Sequence, residues 1–347
     1  MKKISTIGLD LAKTRFQIHG VGGDGQIVVR RQLRRGEVLG FFAKVPRCLV
    51  GMEACGGAHY WAREMAALGH DVKLIPPAYV KPYVKRGKTD AADAEAICEA
   101  VTRPTMRFVA IKSAASQASA MVLKARELLV RQRSQAINAL CAHLGELGIV
   151  AGTGVAKVAG LVAIVRDPDD ARLPAAARLA LTALADQIER LTEQVQTLER
   201  QLVAEVRRDD DMRRLTTVPG VGPIRAAAVK ALVPDIAGFT SARHFAAWLG
   251  LTPKPHSSGG KQRLGAISKM GNTTLRTLLV VGATSVLRHV RNGANGPAWL
   301  IGLLARRPAK VVAVALANKM ARIIFALLTK GGHYARPAWA AAMAPAA

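Results

Sequence analysis

An α/β unit followed by a helical region is the architecture this sequence predicts, and three observations carry it. Residues 3–75 alternate short apolar runs with glycine turns, the pattern of strands interleaved with short helices. From residue 113 onward the apolar residues recur at helical spacing, most cleanly over 181–206. Aromatic residues make up only 4% of a chain that is 50% hydrophobic, so its cores must be built from Ala, Leu, Val and Ile, which suits packed helices. A length of 347 residues allows two or three domains with real cores.

Charge narrows the partners. Lys and Arg number 50 against 24 Asp and Glu, a net +26. A surplus of that size repels itself unless a polyanion is at hand, and nucleic acid is the first candidate, ahead of an anionic membrane surface. Cys48, Cys55, Cys98 and Cys141 form no C-x-x-C pair and have no His cluster beside them. They read as reduced, buried thiols of a cytoplasmic protein rather than zinc ligands. The start of the chain does not read as a signal peptide. Lys310, Lys319 and Arg322 interrupt the apolar stretch 308–328, which argues against a membrane span.

In order along the chain, residues 3–10, 13–20 and 26–32 predict a meander, with Asp10 at the tip of its first strand. A short helix follows over 37–44. Residues 47–53 predict another apolar strand, again ending on a carboxylate, Glu53. A helix over 57–69 and a strand over 71–75 come next. A basic segment holds Lys81, Lys85, Arg86 and Lys88, and a helix then starts at Thr89 and runs to about residue 101. Asp90 and Asp93 are three apart, so both lie on one face of its first turn. Carboxylates at strand ends and on a neighbouring helix are the arrangement of ribonuclease-H-like nucleases, which hold Mg²⁺ through oxygen ligands from separate segments. Plainer roles stay open: Gly-Leu-Asp after a strand also opens sugar kinases and actin-like ATPases, and Asp at a helix start is a common N-cap.

Residues 113–147 predict one long helix or two, with Arg126, Arg131 and Arg133 on the polar side, and glycines at 148–154 end it. More helix follows over 155–180, around an Asp-Pro-Asp-Asp turn at 167–170. Leu181, Leu184, Ile188, Leu191, Val195, Leu198 and Leu202 step by three and four, an a/d seam. The seam suits a coiled coil that makes a dimer; an intramolecular hairpin with the 113–147 helix is the alternative. Pro219-Gly220-Val221-Gly222 ahead of an Ala-rich helix reads as a helix-hairpin-helix turn, whose backbone N–H groups suit a phosphate, with Arg225 and Lys230 adding charge. A helix over 241–250 carries Phe245 and Trp248 as expected core. Further helices are predicted over 273–289, 297–305 and 308–329, before a loose tail from 331.

One stretch fits none of these elements. Residues 253–261 read P-K-P-H-S-S-G-G-K, too polar for a core and too rich in glycine for a helix. Alone it reads as a flexible loop.

The motifs taken together are more specific than any one of them. G-L-D at 8–10, M-E-A-C-G at 52–56, K-T-D-A-A-D at 88–93, V-P-G-V-G at 218–222, then G-L-T-P, H-S-S-G-G-K and I-S-K-M-G-N follow one another in order. Over about residues 4–328 the chain resembles the insertion-sequence transposases of the Asp-Glu-Asp-Asp type, the IS110 and IS1111 group. The resemblance implies an N-terminal RuvC-like (ribonuclease-H-like) domain over 1–112, in which Asp10, Glu53, Asp90 and Asp93 form the set that holds Mg²⁺ or Mn²⁺. The helical linker with the coiled-coil dimerisation segment, read from the apolar spacing, covers 113–209. A mainly helical transposase domain with the helix-hairpin-helix element then spans 210–330. In the family a nucleophilic serine directly precedes a glycine, a few residues after the proline of the L-T-P segment. Here that place is Ser258, with Ser257 beside it as the second candidate. A serine hydroxyl needs activation, which a metal could supply by lowering its pKa; His256 is the nearest rival for that task.

The resemblance further implies a bacterial, cytoplasmic, nucleoid-associated recombinase. A guide (bridge-type) RNA pairs with donor and target DNA, and the enzyme works as a dimer or tetramer with no membrane partner. Lys81, Lys85, Arg86, Lys88, Arg126, Arg131, Arg133, Arg225, Lys254, Lys261 and Arg263 are then candidate backbone contacts, and base pairing would choose the sequence. Three other readings compete: a junction-resolving endonuclease that hydrolyses DNA with the carboxylates alone, a non-catalytic nucleic-acid scaffold, and an actin-like ATPase.

Overall fold

The computed structural model describes residues 3–85, 87, 89–152, 154–293 and 296–335. Two compact units divide the chain, 1–117 and 118–347.

The first unit is built on a five-stranded mixed sheet in the order β3-β2-β1-β4-β5. Strands β1 (Ile4–Leu11), β2 (Arg15–Gly22) and β3 (Ile27–Arg34) form the expected antiparallel meander. Strand β4 (Leu49–Glu53) pairs parallel to β1, and β5 (Asp71–Ile75) parallel to β4. This order and polarity are those expected of a ribonuclease-H-like unit. Between them lie α1 (Val38–Phe42) and α2 (Ala58–Ala67); α3 (Pro77–Val80) and α4 (Asp90–Val101) follow β5.

Because side chains alternate along a strand, the sheet has two different faces. Ile7, Leu9, Phe16, Ile18, Val50 and Met52 point to one face and pack with Phe42, Trp61, Ala62 and Met65 of α1 and α2. The opposite face takes α4, whose Ala96, Ile97, Ala100 and Val101 pack with Ile75 and Val80. Glycine at 8 and 51 lets α4 approach on that face. A Cβ on Gly8 would stand 2.1 Å from the Ala94 carbonyl oxygen, and one on Gly51 2.8 Å from Val101 Cβ.

Among the described residues, the second unit is helical apart from one hairpin. It contains most of α5 (Ala114–Glu146), then α6 (Val158–Arg166), α7 (Ala175–Arg208), α8 (Asp210–Leu215), α9 (Pro223–Leu232) and α10 (Ala242–Trp248). The two-stranded sheet of β6 (Pro253–Pro255) and β7 (Leu264–Ile267) follows, then α11 (Thr273–Arg291), α12 (Ala298–Leu304) and α13 (Ala309–Lys330).

The heptad seam corrects one expectation. Leu181, Ile188, Leu191, Val195 and Leu202 are buried within a single chain, so they are not free to form an intermolecular coiled coil. Leu140 and Leu144 of α5, Leu161 and Val165 of α6, and Leu181, Ala185 and Ile188 of α7 share one core. Nearer the other end Arg126 of α5 pairs with Glu199 of α7. The two long helices thus run antiparallel as an intramolecular hairpin, because α5, already tethered to α7 by the same chain, covers the seam without the entropic cost of association. The second core joins Leu202 and Val206 of α7 to Ala120 and Leu123 of α5 and to α8–α13, so 118–209 and 210–330 are not separated by a break in the core.

Three smaller differences also appear. Cys48 and Cys98 are buried as expected, but Cys55 and Cys141 are exposed, Cys55 in the loop between β4 and α2 and Cys141 on the outer side of α5. Helix α13 is long and apolar enough to cross a membrane by length and composition, yet Val312, Leu316, Met320 and Ile324 pack into the second core, which accounts for its apolarity. The stretch at 253–261 is no featureless loop but the greater part of the β6–β7 hairpin.

Candidate active site

The four carboxylates stand where the α4 face of the sheet meets the first turn of α4. Gly8 and Gly51 are register partners on β1 and β4. Two residues further on each strand, on the same face, come Asp10 and Glu53. The close seating of α4 on Gly8, through Ala94 and Cys98, sets Asp93 next to that contact and Asp90 one turn before it. Thr89 caps the helix, its Oγ1 accepting from the Ala92 N–H at 3.2 Å, so the two aspartates lie on a fixed turn. Arg30 of β3 and Lys85 hold the same helix from the side through Glu95, at 2.7 and 2.8 Å.

Electrostatics reports the convergence. The Asp10 carboxyl is pushed up to about 6, first by burial and then by the negative charges of Asp93, Asp90 and Glu53, against a hydrogen bond from the Leu11 backbone that lowers it. Desolvation and like charge act in the same direction here. Among the described residues, no three His, Cys, Asp or Glu side chains are drawn close enough to hold a metal ion as they stand. The fields of the four carboxylates therefore overlap at a range longer than ligation. In ligand type and charge the set fits a hard divalent cation, whose binding would relieve the strain on Asp10.

Ser257 and Ser258 belong to the second unit. Gly259 and Gly260 have φ of 56° and 77°, and the Lys261 N–H donates to the Ser258 carbonyl at 3.1 Å. These values define a two-residue type I′ turn, which needs positive φ at both central residues and so selects Gly-Gly. The two hydroxyls differ. Ser257 Oγ accepts from the Arg263 N–H at 3.1 Å, across the hairpin. Ser258 Oγ makes no hydrogen bond among the described residues and stands exposed at the corner of the turn. Lys254, Lys261 and Arg263 are exposed on the same hairpin. The His256 ring lies over Gly265, where a Cβ would come within 2.9 Å of Nε2.

The expected basic contacts divide into free and engaged groups. Lys81 and Arg131 are exposed and Arg133 is half-buried. Lys85 is tied to Glu95, Arg126 to Glu199, and Lys230 to Asp211 at 2.6 Å. Arg225 is half-buried; its Nε donates to the Leu278 carbonyl at 2.8 Å, and burial, then the nearby Arg126, push its pKa down. Arg86 and Lys88 lie outside the described residues. The helix-turn-helix order of α8 and α9 is present, but the turn is used for packing: a Cβ on Gly220 would stand 2.8 Å from the Gly282 carbonyl of α11, and one on Gly282 2.2 Å from the Gly220 carbonyl. Sequence reasoning missed the paired glycines under α4. Their signal was legible as the same spacing twice, Gly-Leu-Asp and Gly-Met-Glu.

Comparison with known proteins identifies the family. Residues 7–149 match the DEDD-type IS110 transposase profile, described simply as a transposase, and residues 212–296 match the profile described as Transposase IS116/IS110/IS902 family. A probable family 20 transposase of Pseudomonas aeruginosa is 52% identical over 95% of this chain and 98% of its own. The transposase for insertion sequence element IS1328 of Yersinia enterocolitica is 39% identical over 97% of this chain and all of its own length. The transposase for element IS1111A of Coxiella burnetii is 38% identical over 96% of this chain and 92% of its own. Profiles matching both units, and relatives aligned along nearly their whole length, lead to one statement: the chain belongs to the IS116/IS110/IS902 transposase family and is a DNA transposase of an insertion sequence.

Proposed function

We propose that this transposase cuts and rejoins DNA through a serine–phosphate link, with Ser258 as nucleophile and Asp10, Glu53, Asp90 and Asp93 as ligands for Mg²⁺ or Mn²⁺. The observation that carries this reading is the state of Ser258: an exposed hydroxyl, unengaged among the described residues, at the corner of a Gly-Gly turn on a hairpin that also exposes Lys254, Lys261 and Arg263. Ser257, whose oxygen already accepts a backbone N–H, is the poorer nucleophile.

The chemistry balances without an external energy source. Ser258 Oγ attacks phosphorus; the Oγ–P bond forms as the bond to one sugar oxygen breaks. The serine proton passes to a basic group, and the departing sugar oxygen gains one. A sugar hydroxyl from another strand then attacks the phosphoserine and releases Ser258. The two glycines after Ser258 leave room for a phosphate to approach, and the three cations balance its charge. A divalent cation held by the carboxylates would polarise a phosphoryl oxygen and neutralise charge in the transition state. Asp10, held at about 6, is ionised at neutral pH and so ready to serve as a ligand.

The net charge of +26 supports partners beyond one duplex: donor DNA, target DNA and an element-encoded guide RNA. Exposed Lys81, Arg131, Lys254, Lys261 and Arg263 are the first candidates for phosphate contacts. Each chain offers one nucleophile, so exchange between two duplexes requires a dimer or tetramer, whose interface is not the buried 181–206 seam. Acting on the bacterial chromosome places the protein in the cytoplasm. The test is to incubate the protein with DNA carrying its element and Mg²⁺, digest, and map any protein–DNA adduct by mass spectrometry. A phosphoserine link at 258 supports the reading. Cleavage that survives Ser258→Ala would replace it with metal-assisted hydrolysis by the carboxylates.

A further inference from the structure

The hairpin that carries Ser258 has almost no core of its own. Pro253, Lys254 and Pro255 are all exposed, and so are Leu264, Gly265 and Ala266. Its orientation must therefore come from its two ends, and both ends run into one knot of backbone. Ser268 N–H donates to the Thr252 carbonyl at 2.9 Å, and Lys269 N–H to the Gly250 carbonyl at 3.2 Å. Gly250 and Gly271 have φ of 71° and 69°; Lys269, at 55°, is the one non-glycine with positive φ among the described residues. A Cβ on Gly271 would stand 1.7 Å from the Trp248 carbonyl, and one on Gly250 2.4 Å from the Met270 carbonyl. The incoming and outgoing segments thus cross with backbone against backbone.

One side chain holds the crossing together. Arg276, in the first turn of α11, donates from Nη1 to the Leu249 carbonyl at 3.0 Å and to the Met270 carbonyl at 2.8 Å. Its Nη2 donates to Thr273 Oγ1 at 3.1 Å, which fixes the guanidinium against its own helix. Leu249 precedes the hairpin and Met270 follows it, so a single planar group sets the spacing between the two ends. Asn318 of α13 adds a second anchor at the Leu251 carbonyl, 3.1 Å away.

We propose that Arg276 is a positioning residue for strand transfer: by clasping the carbonyls of Leu249 and Met270 it sets the direction in which the hairpin presents the Ser258 hydroxyl. This role rests on Ser258 being the nucleophile. It needs the rigid fork of an arginine; a lysine ammonium is a single point on a flexible stem and can satisfy the carbonyls only in part. A reacting atom displaced by about 1 Å can cost about 100-fold in rate.

The experiment uses the full-length protein, a plasmid carrying the element with its flanks, and Mg²⁺. Wild type, Arg276→Met and Arg276→Lys are compared for the single-turnover rate of adduct formation at Ser258, for plasmid affinity and for melting temperature. Arg276→Met is expected to slow adduct formation about 10- to 100-fold while affinity stays within about twofold, with Arg276→Lys between it and wild type. An undiminished rate in either variant overturns the proposal. So does a loss of rate that only follows loss of affinity or of folded protein, which is what a purely structural arginine would give. If Arg276→Met does not fold, Arg276→Lys decides alone, with a slower adduct at unchanged affinity expected. Failure of the nucleophile assignment shows separately, as absence of a Ser258 adduct in the wild type, and it removes this role with it.

Discussion

Gly8 and Gly51 face each other across the parallel pair β1–β4, and both lie beneath α4. Helix backbone rests where a Gly8 side chain would be and the Val101 side chain where a Gly51 side chain would be, and two residues further along each strand stand Asp10 and Glu53. Replacing Gly8 by Ala is expected to destabilise the first unit by about 3 kcal/mol, since the new Cβ meets helix backbone that cannot move alone. Gly51→Ala meets only the Val101 side chain and is expected to cost about half as much. Denaturant unfolding of the two variants checks the order; equal effects would mean α4 is not seated on Gly8.

Asp10 links stability to pH. An ordinary aspartate titrates near 3.8, whereas this one is raised to about 6, so the fold disfavours its ionised form. Its contribution is fully present below about pH 4 and is lost as pH rises through about 6. Metal-free wild type is therefore expected to lose stability across that window. Asp10→Asn should be more stable than wild type at pH 8, by an amount on the order of 1 kcal/mol once partial exposure is allowed for, while losing DNA cleavage. Adding Mg²⁺ at pH 8 is expected to raise the melting temperature of wild type and not of Asp10→Asn. Thermal melts from pH 4 to 8, with and without Mg²⁺, read all three effects.

The two serines separate by mutation. Ser257→Ala removes one hairpin hydrogen bond, a loss of about 1 kcal/mol confined to the hairpin, and is expected to leave a measurable adduct. Ser258→Ala is expected to abolish the adduct while DNA affinity is retained. An adduct in Ser258→Ala that maps to Ser257 would reverse the assignment.

The seam of α7 is expected to stabilise the single chain and not the association of copies. Ile188→Ala removes a side chain buried within its own chain and is expected to cost about 2–5 kcal/mol. Any dependence of the unfolding midpoint on protein concentration should be the same in this variant as in wild type. A concentration dependence present in wild type and lost in Ile188→Ala would restore the intermolecular coiled coil.

Phosphate contacts are read from salt. Lys254→Ala and Lys261→Ala are each expected to reduce the slope of log affinity against log salt by about 1. Arg126→Ala acts differently, because it breaks the pair with Glu199, and should lower stability more than the salt slope.

Much of this protein was legible from its chain order. Alternation and turn residues located the strands of the first unit, because a half-buried strand must alternate and a hairpin must turn on glycine. The same local rules marked Thr89, Asp90 and Asp93 as the start of a helix, and apolar spacing marked α5, α7, α11 and α13. Tertiary structure alone decided which surfaces meet. A heptad seam states that something apolar must cover it, but not whether that cover is a second copy or α5; burial chose α5. A Pro-Gly-Val-Gly turn states that backbone is bare, but not whether a phosphate or another helix uses it; here Gly220 lies against Gly282. A polar run with two glycines states that it avoids the core, but its strand pairing, its type I′ turn and its clasp by Arg276 depend on partners far along the chain. Local conformation follows from short-range sterics and is written residue by residue, whereas the choice among burial partners is a comparison of long-range contacts that only the folded chain makes.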